Sequence, residues 1–166
     1  GSLGLKLSKV EHLMRPREQC RVALDSKTVR EVFVGLRVPG RRTGAIMLVN
    51  ESGKLTGIFT DSDLARLFER RRDPELDYPI RQVMTVNPLT VAIGARIGDA
   101  VTIMGQRKIS ELPVVDEEGQ PVGLIDVTDL VGLLPGDGKT PAAAKTEPVQ
   151  KHACRVVYEP DEAETT

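Results

Sequence analysis

The sequence predicts an α+β fold in which two β-α-β-β-α repeats pack together with pseudo-two-fold symmetry. The stretch GIFTDSDL at 57–64 recurs as GLIDVTDL at 123–130, 66 positions further along the chain. Each copy follows a short apolar run and a turn that contains Gly, and each continues into apolar residues at helical spacing. A repeat of about 60 residues has a small core when it stands alone, so the two copies are expected to bury their apolar faces against each other.

Composition narrows the classes of function. The chain has 166 residues, a net charge of −1 and only 3% aromatic residues, so an aliphatic core is expected and bulk charge gives no case for binding nucleic acid or membrane. Its apolar runs are far shorter than the roughly 18–20 residues that span a bilayer. Two cysteines in unlike contexts indicate neither a structural disulfide nor a cysteine metal site, and no signal-peptide pattern opens the chain. These features predict a cytoplasmic protein.

The first half of each repeat follows from its local pattern. A short helical lead-in ends in HLM at 12–14 or QVM at 82–84, and a first strand is predicted at RVAL (21–24) or TVAI (90–93). A helix comes next, because apolar residues recur at i, i+3, i+4 and i+7 in both copies. These residues are Val29, Val32, Phe33 and Leu36 in the first copy and Ile97, Ala100, Val101 and Met104 in the second.

The second half of each repeat is predicted to be a hairpin followed by a helix. The runs AIMLV and LPVV are joined to the strands before the repeated motif by the turns NESGK and DEEGQ, in which Gly supplies the turn conformation. The final helices carry apolar residues at i, i+3 and i+4. These are Leu64, Leu67 and Phe68 in the first copy, and Leu130, Leu133 and Leu134 in the second.

The same patterns set the expected boundaries. Residues 1–8 are read as a tag scar and lead-in, because the chain begins with Gly-Ser rather than Met, and the chain is expected to be a fragment of a longer protein. The first repeat covers 9–70 and the second 79–135. Residues 136–166 are rich in Gly, Pro, Ala and Lys at their start and predict a flexible tail. Within that tail, CRVVYE at 154–159 is a candidate short strand.

Residues 8–135 resemble a tandem pair of CBS domains, also called a Bateman module. The resemblance rests on the LPVVD strand, the two Asp-Leu endings and the Met-terminated lead-ins. A narrower resemblance, carried by GKLTGIFTDSDLARLFER, VMTVNPLTV and RKISELPVVDEEGQPVGLIDVTDL, is to the C-terminal CBS pair of KpsF/GutQ-type arabinose-5-phosphate isomerases. It implies a parent enzyme of Kdo and lipopolysaccharide biosynthesis whose catalytic sugar isomerase (SIS) domain is absent from this chain. A transporter or IMP dehydrogenase parent stays open, because those proteins share the generic ending.

Thr60 and Asp63 have two interpretations. A Thr followed three residues later by an acidic residue, at the start of a helix, is a capping box. The same helix start offers free N–H groups to an anion, and the CBS resemblance implies that Thr60 contacts a phosphate and Asp63 a ribose; the two roles can coexist. In the second copy Asp129 matches Asp63, but Asp126 replaces the Thr and should repel a phosphate. We therefore expect unequal clefts, with the better anion site at Thr60.

Further candidate ligand contacts are basic residues that precede the two central strands. Arg41 and Arg42 lie ahead of 45–49, and Arg107 and Lys108 lie at the equivalent place ahead of 112–115. They could hold a phosphate or carboxylate, or simply complement a helix C-terminus. Thr90, in the NPLT stretch, is a further candidate because the resemblance implies that this stretch contributes to the ligand pocket.

No catalytic or metal-binding pattern appears in the sequence. There is no Ser-His-Asp set, nucleophile elbow or P-loop, and the two histidines show no metal spacing. The sequence therefore predicts a regulatory module and not a catalyst. The resemblance implies that it senses AMP, ATP or the pathway product CMP-Kdo between the repeats, that it forms homodimers through the CBS pairs, and that it regulates an isomerase domain in the parent chain. The alternative is a structural dimerisation module with empty clefts.

Overall fold

The computed structural model describes residues 2–36 and 43–131. Within these ranges the chain forms two four-stranded sheets flanked by five helices, which confirms the predicted α+β class. The predicted tail at 136–166 and the candidate strand at 154–159 lie outside the described residues.

Residues 2–69 form seven helices and strands, the first of which precedes the first repeat. In chain order these are α1 (Ser2–Leu7), β1 (Arg15–Pro16), β2 (Arg21–Leu24), α2 (Val29–Gly35), β3 (Ala45–Val49), β4 (Leu55–Thr60) and α3 (Asp61–Glu69). The second repeat supplies β5 (Thr85–Val86), β6 (Val91–Ala92), α4 (Ile97–Arg107), β7 (Glu111–Val115), β8 (Pro121–Asp126) and α5 (Val127–Val131). Short 3₁₀ turns at Val10–His12 and Ile80–Gln82 open the two lead-ins. From here on the first lead-in means residues 10–16 and the second lead-in means residues 80–86, so each includes the short strand that follows its turn.

The hairpin turns are built alike in both repeats. Gly53 and Gly119 have φ values of 82° and 77°, a left-handed conformation that glycine adopts without steric cost. Asn50 and Asp116 open the turns, and their side-chain oxygens accept backbone N–H groups from Lys54 and Gln120 at 3.0 and 2.9 Å. The predicted hairpins are therefore confirmed, together with the turn chemistry that fixes them.

Each sheet is completed by a strand from the other repeat. One sheet has the order β2-β3-β4-β5 and the other β1-β8-β7-β6. Thr85 of the second lead-in lies opposite Ile58, and Arg15 of the first lead-in lies opposite Leu124. Because Ile58 and Leu124 are equivalent positions of the two repeats, the exchange of lead-ins obeys the pseudo-two-fold symmetry.

Each apolar core likewise contains a residue from the lead-in of the other repeat. Ile80 is fully buried among first-repeat residues such as Val29 and Phe59, and Val10 is fully buried among second-repeat residues such as Ile97 and Leu112. Backbone bonds fix both insertions, since Ile80 N donates to the Lys27 carbonyl at 2.7 Å and Val10 N donates to the Ala95 carbonyl at 2.8 Å. Neither repeat therefore has a complete core without the lead-in of the other.

The first strand of each repeat forms where the sequence predicts one. It covers Arg21–Leu24 in the first repeat and the shorter Val91–Ala92 in the second. Ala23 pairs with Leu48, and Val91 pairs with Val114. Because Leu48 and Val114 are equivalent positions of the two repeats, Ala23 corresponds to Val91, an offset of 68 positions that matches the offset of the helices that follow.

Candidate ligand-binding site

Thr60 and Asp63 form a capping box at the start of α3. Thr60 Oγ1 accepts a hydrogen bond from Asp63 N at 3.1 Å, and Asp63 Oδ2 accepts one from Thr60 N at 2.9 Å. Arg66 Nη1 donates to the other carboxylate oxygen of Asp63 at 2.7 Å. The Thr60 hydroxyl keeps its own hydrogen as a donor, and each Asp63 oxygen has a second lone pair. The capping role is thus present, and capacity for a ligand remains.

Asp126 occupies the position in the second repeat that Thr60 has in the first. It is buried, with 7% of its surface exposed. Its Oδ1 accepts hydrogen bonds from the backbone N of Thr128 at 2.8 Å and from the Thr128 hydroxyl at 2.7 Å. This carboxylate therefore caps α5 and presents acceptors only, where Thr60 can present a donor.

Asp129, the equivalent of Asp63, is held by an arginine from the first repeat. Arg15 Nε donates to Asp129 Oδ2 at 2.7 Å and Arg15 Nη2 donates to Oδ1 at 3.0 Å, so the pair is bidentate. The hydrogen bond to Asp129 raises the pKa of the Arg15 guanidinium. Because Arg15 lies on the exchanged strand β1, this ion pair joins the two repeats, and a sugar hydroxyl that reached Asp129 would share it with Arg15.

Arg21 is a buried cation beside the Thr60 helix that sequence reasoning missed. Only 4% of the residue is exposed. Its Nη2 donates to the Thr43 carbonyl at 2.8 Å and lies 3.3 Å from Asp61 Oδ1, and its guanidinium lies 5.7 Å from the centre of the Phe33 ring. A lone Arg at the first position of a short apolar strand carries no sequence signal for this role.

Glu111 lies among carboxylates. It is the register partner of Asp126 across strands β7 and β8. Burial raises the pKa of Glu111, and the neighbouring charges of Asp126, Asp61 and Asp63 raise it further. Sequence reasoning did not single out Glu111, because these carboxylates come from three separate strand and helix ends that only the fold brings together.

Replacing Glu111 with Gln is expected to stabilise the protein at neutral pH. A carboxyl group whose pKa in the folded state is raised above its ordinary 4.5 contributes stability that is complete below that value and is lost as the pH rises through the folded-state pKa. At pH 7 folding must either ionise this carboxyl beside its acidic neighbours or hold it protonated, and Gln removes that cost. Thermal unfolding should therefore show a higher Tm for Glu111→Gln at pH 7, with the gain shrinking toward pH 4.5.

Glu117→Gln is the matched control for this substitution, because Glu117 is exposed in the neighbouring hairpin turn. It should leave the Tm nearly unchanged at both pH values. A Glu111→Gln protein that is no more stable than wild type at pH 7 would contradict the carboxylate clustering.

A cavity of about 220 Å³ lies between the second lead-in and the start of β7. Apolar side chains form most of its wall, namely Ile58, Pro88, Leu89, Ile109 and Pro113. Thr85, Asn87 and Glu111 supply its polar groups. Asn87 has a φ of 47°, a left-handed conformation that is uncommon outside glycine and that concentrates at functional sites.

The remaining predicted site residues lie apart from this cavity or beyond the described structure. Thr90 lines an adjacent cavity of about 230 Å³ together with Asn87 and Pro88. Arg107 is the last residue of α4 and Lys108 follows it in a left-handed conformation, and both are exposed. That is the position in which cations complement a helix C-terminus. Arg41 and Arg42 lie outside the described residues.

Other chemistry has little support in the part of the chain that the structure describes. Among residues 2–36 and 43–131, no group of three or more His, Cys, Asp or Glu side chains is arranged to hold a metal ion. No helix within these same residues has the length and apolarity needed to cross a membrane. Cys20 is buried as a free thiol, and burial raises its pKa to about 11. It is therefore a poor nucleophile at neutral pH.

The fold and the repeated helix starts define a tandem CBS pair. The family model of the CBS domain matches the chain twice, over residues 10–70 and 80–136. The chain therefore belongs to the CBS domain family and carries two CBS domains in tandem.

Its curated relatives include arabinose 5-phosphate isomerases. The chain is 36% identical over 132 residues to arabinose 5-phosphate isomerase KdsD of Pseudomonas aeruginosa, which covers 79% of this chain and 40% of the relative. It is 33% identical over 130 residues to arabinose 5-phosphate isomerase GutQ of Escherichia coli K12, which covers 78% of this chain and 39% of the relative. The chain thus spans about two fifths of the length of the curated relatives it matches.

Solved structures of CBS pairs share the fold. The cytosolic domain of the Mg²⁺ channel MgtE in complex with ATP matches with a TM-score of 0.64 and 24% identity, over 79% of this chain and 50% of that one. CBSX2 in complex with AMP matches with a TM-score of 0.61 and 24% identity, over 75% of this chain and 94% of that one. CBSX2 is a CBS-pair protein from Arabidopsis thaliana. At this identity the similarity establishes the fold.

Proposed function

We propose that this chain is the regulatory CBS pair of a cytoplasmic D-arabinose-5-phosphate isomerase of Kdo and lipopolysaccharide biosynthesis. The parent's catalytic SIS domain belongs to another part of its sequence, and this chain supplies ligand sensing. This proposed parent is supported by the similarity to KdsD and GutQ isomerases over nearly four fifths of the chain. The regulated partner is then the isomerase domain, and the CBS pair acts as a homodimer.

The ligand we propose is AMP, ATP or CMP-Kdo, bound between the repeats with its anionic group at Thr60. The observation that carries this proposal is the Thr60 capping box, which leaves a hydroxyl donor at the N-terminus of the nine-residue helix α3. Two of the similar CBS structures are complexes with such ligands, the cytosolic domain of MgtE with ATP and CBSX2 with AMP. CMP-Kdo is the pathway product, so its binding would give feedback on an early step.

The remaining contacts are assigned by type. Asp63 accepts ribose or sugar hydroxyls in the first cleft, and Asp129 and Thr90 serve the second. Four basic residues supply positive charge that can attract a phosphate or carboxylate of the ligand, namely Arg41, Arg42, Arg107 and Lys108. Because β1 and β5 are exchanged between the repeats, a ligand that favours one relative placement of the repeats shifts the whole module, which is how binding reaches the isomerase domain.

Thr60→Asp tests the first cleft without removing the helix cap. Asp is as good an N-cap as Thr, and it copies the residue that the second repeat has at the equivalent position, but its charge repels a phosphate. A ligand at 100 times its dissociation constant stabilises the wild-type fold by about 2.7 kcal/mol. In a thermal-shift panel of AMP, ATP and CMP-Kdo, we expect at least one compound to stabilise the wild type, and Thr60→Asp to abolish that shift.

Thr28→Asp is the matched control. Thr28 forms the same capping box with Glu31 at the start of α2, with bonds of 3.1 and 2.9 Å, and we assign it no ligand contact. Its ligand-induced shift should equal that of wild type. A shift that survives Thr60→Asp would place the ligand elsewhere.

No shift of the wild type with any compound would favour the alternative of a structural dimerisation module. A specific observation supports that alternative. Val34 and Phe68 are 72% and 52% exposed beside an apolar groove between α2 and α3, and such a groove suits a second copy of the chain.

A further inference from the structure

Arg21 places a buried positive charge near the helix start that carries Thr60. It is the first residue of β2 and pairs across the sheet with Ile46, which pairs in turn with Phe59, the residue before Thr60. Because β2 is parallel to β3 and β4 is antiparallel to it, β2 begins at the edge of the sheet where β4 ends. Only 4% of Arg21 is exposed, and the proposed function assigns no ligand contact to it.

The contact between Arg21 and Asp61 is long for a buried ion pair. Arg21 Nη2 donates to the Thr43 carbonyl at 2.8 Å but lies 3.3 Å from Asp61 Oδ1. The pair that joins the repeats, Arg15 and Asp129, is 2.7 Å apart. Charge-assisted hydrogen bonds are normally about 2.7–2.9 Å long, and a short bond of this kind does most to stabilise a buried guanidinium. A phosphate or carboxylate could therefore pair with Arg21 better than Asp61 does.

Asp61 is the member of this pair that is free to turn toward solvent. Its side chain is 49% exposed, against 4% for that of Arg21. Its carboxylate also lies near a second acidic side chain. A Cβ placed on Gly44 would be 3.2 Å from Glu111 Oε1 and 4.0 Å from Asp61 Oδ2, so the two carboxyl groups flank this glycine. Like charges repel at such separations, and a move of the Asp61 carboxylate into solvent would relieve that repulsion.

One backbone donor of the same helix start is left for a ligand. Thr60 N and Asp63 N are used in the capping box, and Asp61 N donates to the Gly44 carbonyl at 2.8 Å. Within the residues that the structure describes, Ser62 N has no acceptor. It is therefore available to an anion together with the Thr60 hydroxyl.

From these contacts we propose that Arg21 is a specificity-determining residue of the Thr60 site, and that the phosphate or carboxylate of the ligand displaces Asp61 from it. The bound anion accepts from Arg21 Nη2 where Asp61 Oδ1 does now, and the Thr60 hydroxyl and Ser62 N donate to the same anionic group. Asp61 then competes with the ligand for Arg21 and lowers the affinity for anions. This inference rests on the proposed sensing function and adds a residue and a competitor to its site.

Isothermal titration calorimetry of the whole chain with AMP, ATP and CMP-Kdo tests this competition in Asp61→Asn. The substitution removes the competing charge and keeps the size of the side chain. Each of these compounds that binds the wild type should therefore bind the variant about threefold to tenfold more tightly. A purely structural role of the Arg21–Asp61 pair predicts the opposite, because its loss would loosen the helix start and weaken binding.

Asp77→Asn is the matched control. It removes the partner of Arg30 in an exposed ion pair of 2.9 Å beside the start of α2, and it should leave all affinities unchanged. Arg21→Gln should weaken binding of the same compounds at least about tenfold, and Arg21→Lys, which keeps the charge, should recover part of the loss. Circular dichroism and thermal unfolding show whether the Arg21 variants fold, and if they do not, Asp61→Asn alone decides the inference.

The outcomes separate this inference from the proposed function. If Asp61→Asn leaves the affinities unchanged or weakens them, the inference is overturned while the sensing function stands. An equal gain in affinity for adenosine or cytidine, which carry no anionic group, would also overturn it. If none of AMP, ATP and CMP-Kdo binds even the wild type, the proposed function fails and this inference fails with it.

Discussion

Replacing Gly123 with Ala is expected to destabilise the protein by about 1–3 kcal/mol, more than the same change at Gly57. A Cβ at Gly123 would lie 2.6 Å from the Arg15 carbonyl oxygen and 2.8 Å from Met14 Cγ. The three atoms nearest to a Cβ at Gly57 all belong to the Met84 side chain, and they include Cε at 2.7 Å and Cγ at 2.8 Å. A flexible Met can move aside, but a strand carbonyl cannot, so the Gly123 substitution should cost more free energy of unfolding.

Double-mutant cycles measured by chemical denaturation check this difference. Met84→Ala should relieve most of the Gly57→Ala clash, giving a coupling of about 0.5–3 kcal/mol, whereas Met14→Ala should relieve only part of the clash at Gly123. Gly105→Ala is the control, because no atom lies within 4 Å of its Cβ position once its chain neighbours and the backbone of its own helix α4 are set aside. That substitution should stabilise the protein by about 0.5–1 kcal/mol. Equal costs at Gly57 and Gly123 would argue against the close approach of the first lead-in.

Ile80→Ala is expected to cost about 2–5 kcal/mol and to loosen the first repeat, although residue 80 belongs by sequence to the second. Ile80 is fully buried in the cluster that contains Val29, Val32 and Phe59. Truncation leaves a cavity there. Native-state hydrogen exchange should therefore show lost protection in α2 and β3, with α4 much less affected.

Val86→Ala is the control for Ile80→Ala, because Val86 lies in the same lead-in but is 58% exposed. It should change the free energy of unfolding by less than about 0.5 kcal/mol. Val10→Ala should give the reciprocal pattern and lower protection in α4. Loss of protection confined to the second repeat after Ile80→Ala would show that each repeat keeps its own lead-in.

Most of the fold could be predicted from the sequence because its signals are local. The turns at Gly53 and Gly119 and the capping box at Thr60 each depend on residues within a few positions of one another. The predicted apolar faces of the helices are confirmed in part, since Ile97, Ala100 and Met104 are buried. Val101 and Phe68, predicted on the same stripes, are 42% and 52% exposed, because the packed faces are narrower than a full i, i+3, i+4 stripe.

Less of the candidate site could be predicted from the sequence. The difference between Thr60 and Asp126 follows directly from comparing the repeats. That Arg15 lies beside Asp129 and Glu111 beside Asp126 could not be predicted, because strand pairing brings these residues together from separate parts of the chain.

By itself, the sequence determined the duplication, the order of strands and helices in each copy, and which helix start can offer a donor to an anion. These features depend on short-range turn, capping and periodicity rules that each repeat satisfies alone. Only the tertiary structure decided that the lead-ins are exchanged and that Arg15 holds Asp129, two residues separated by 114 positions. The physical reason is that strand exchange and ion pairing at such separations are settled by which apolar faces can be buried together, and no local pattern records that choice.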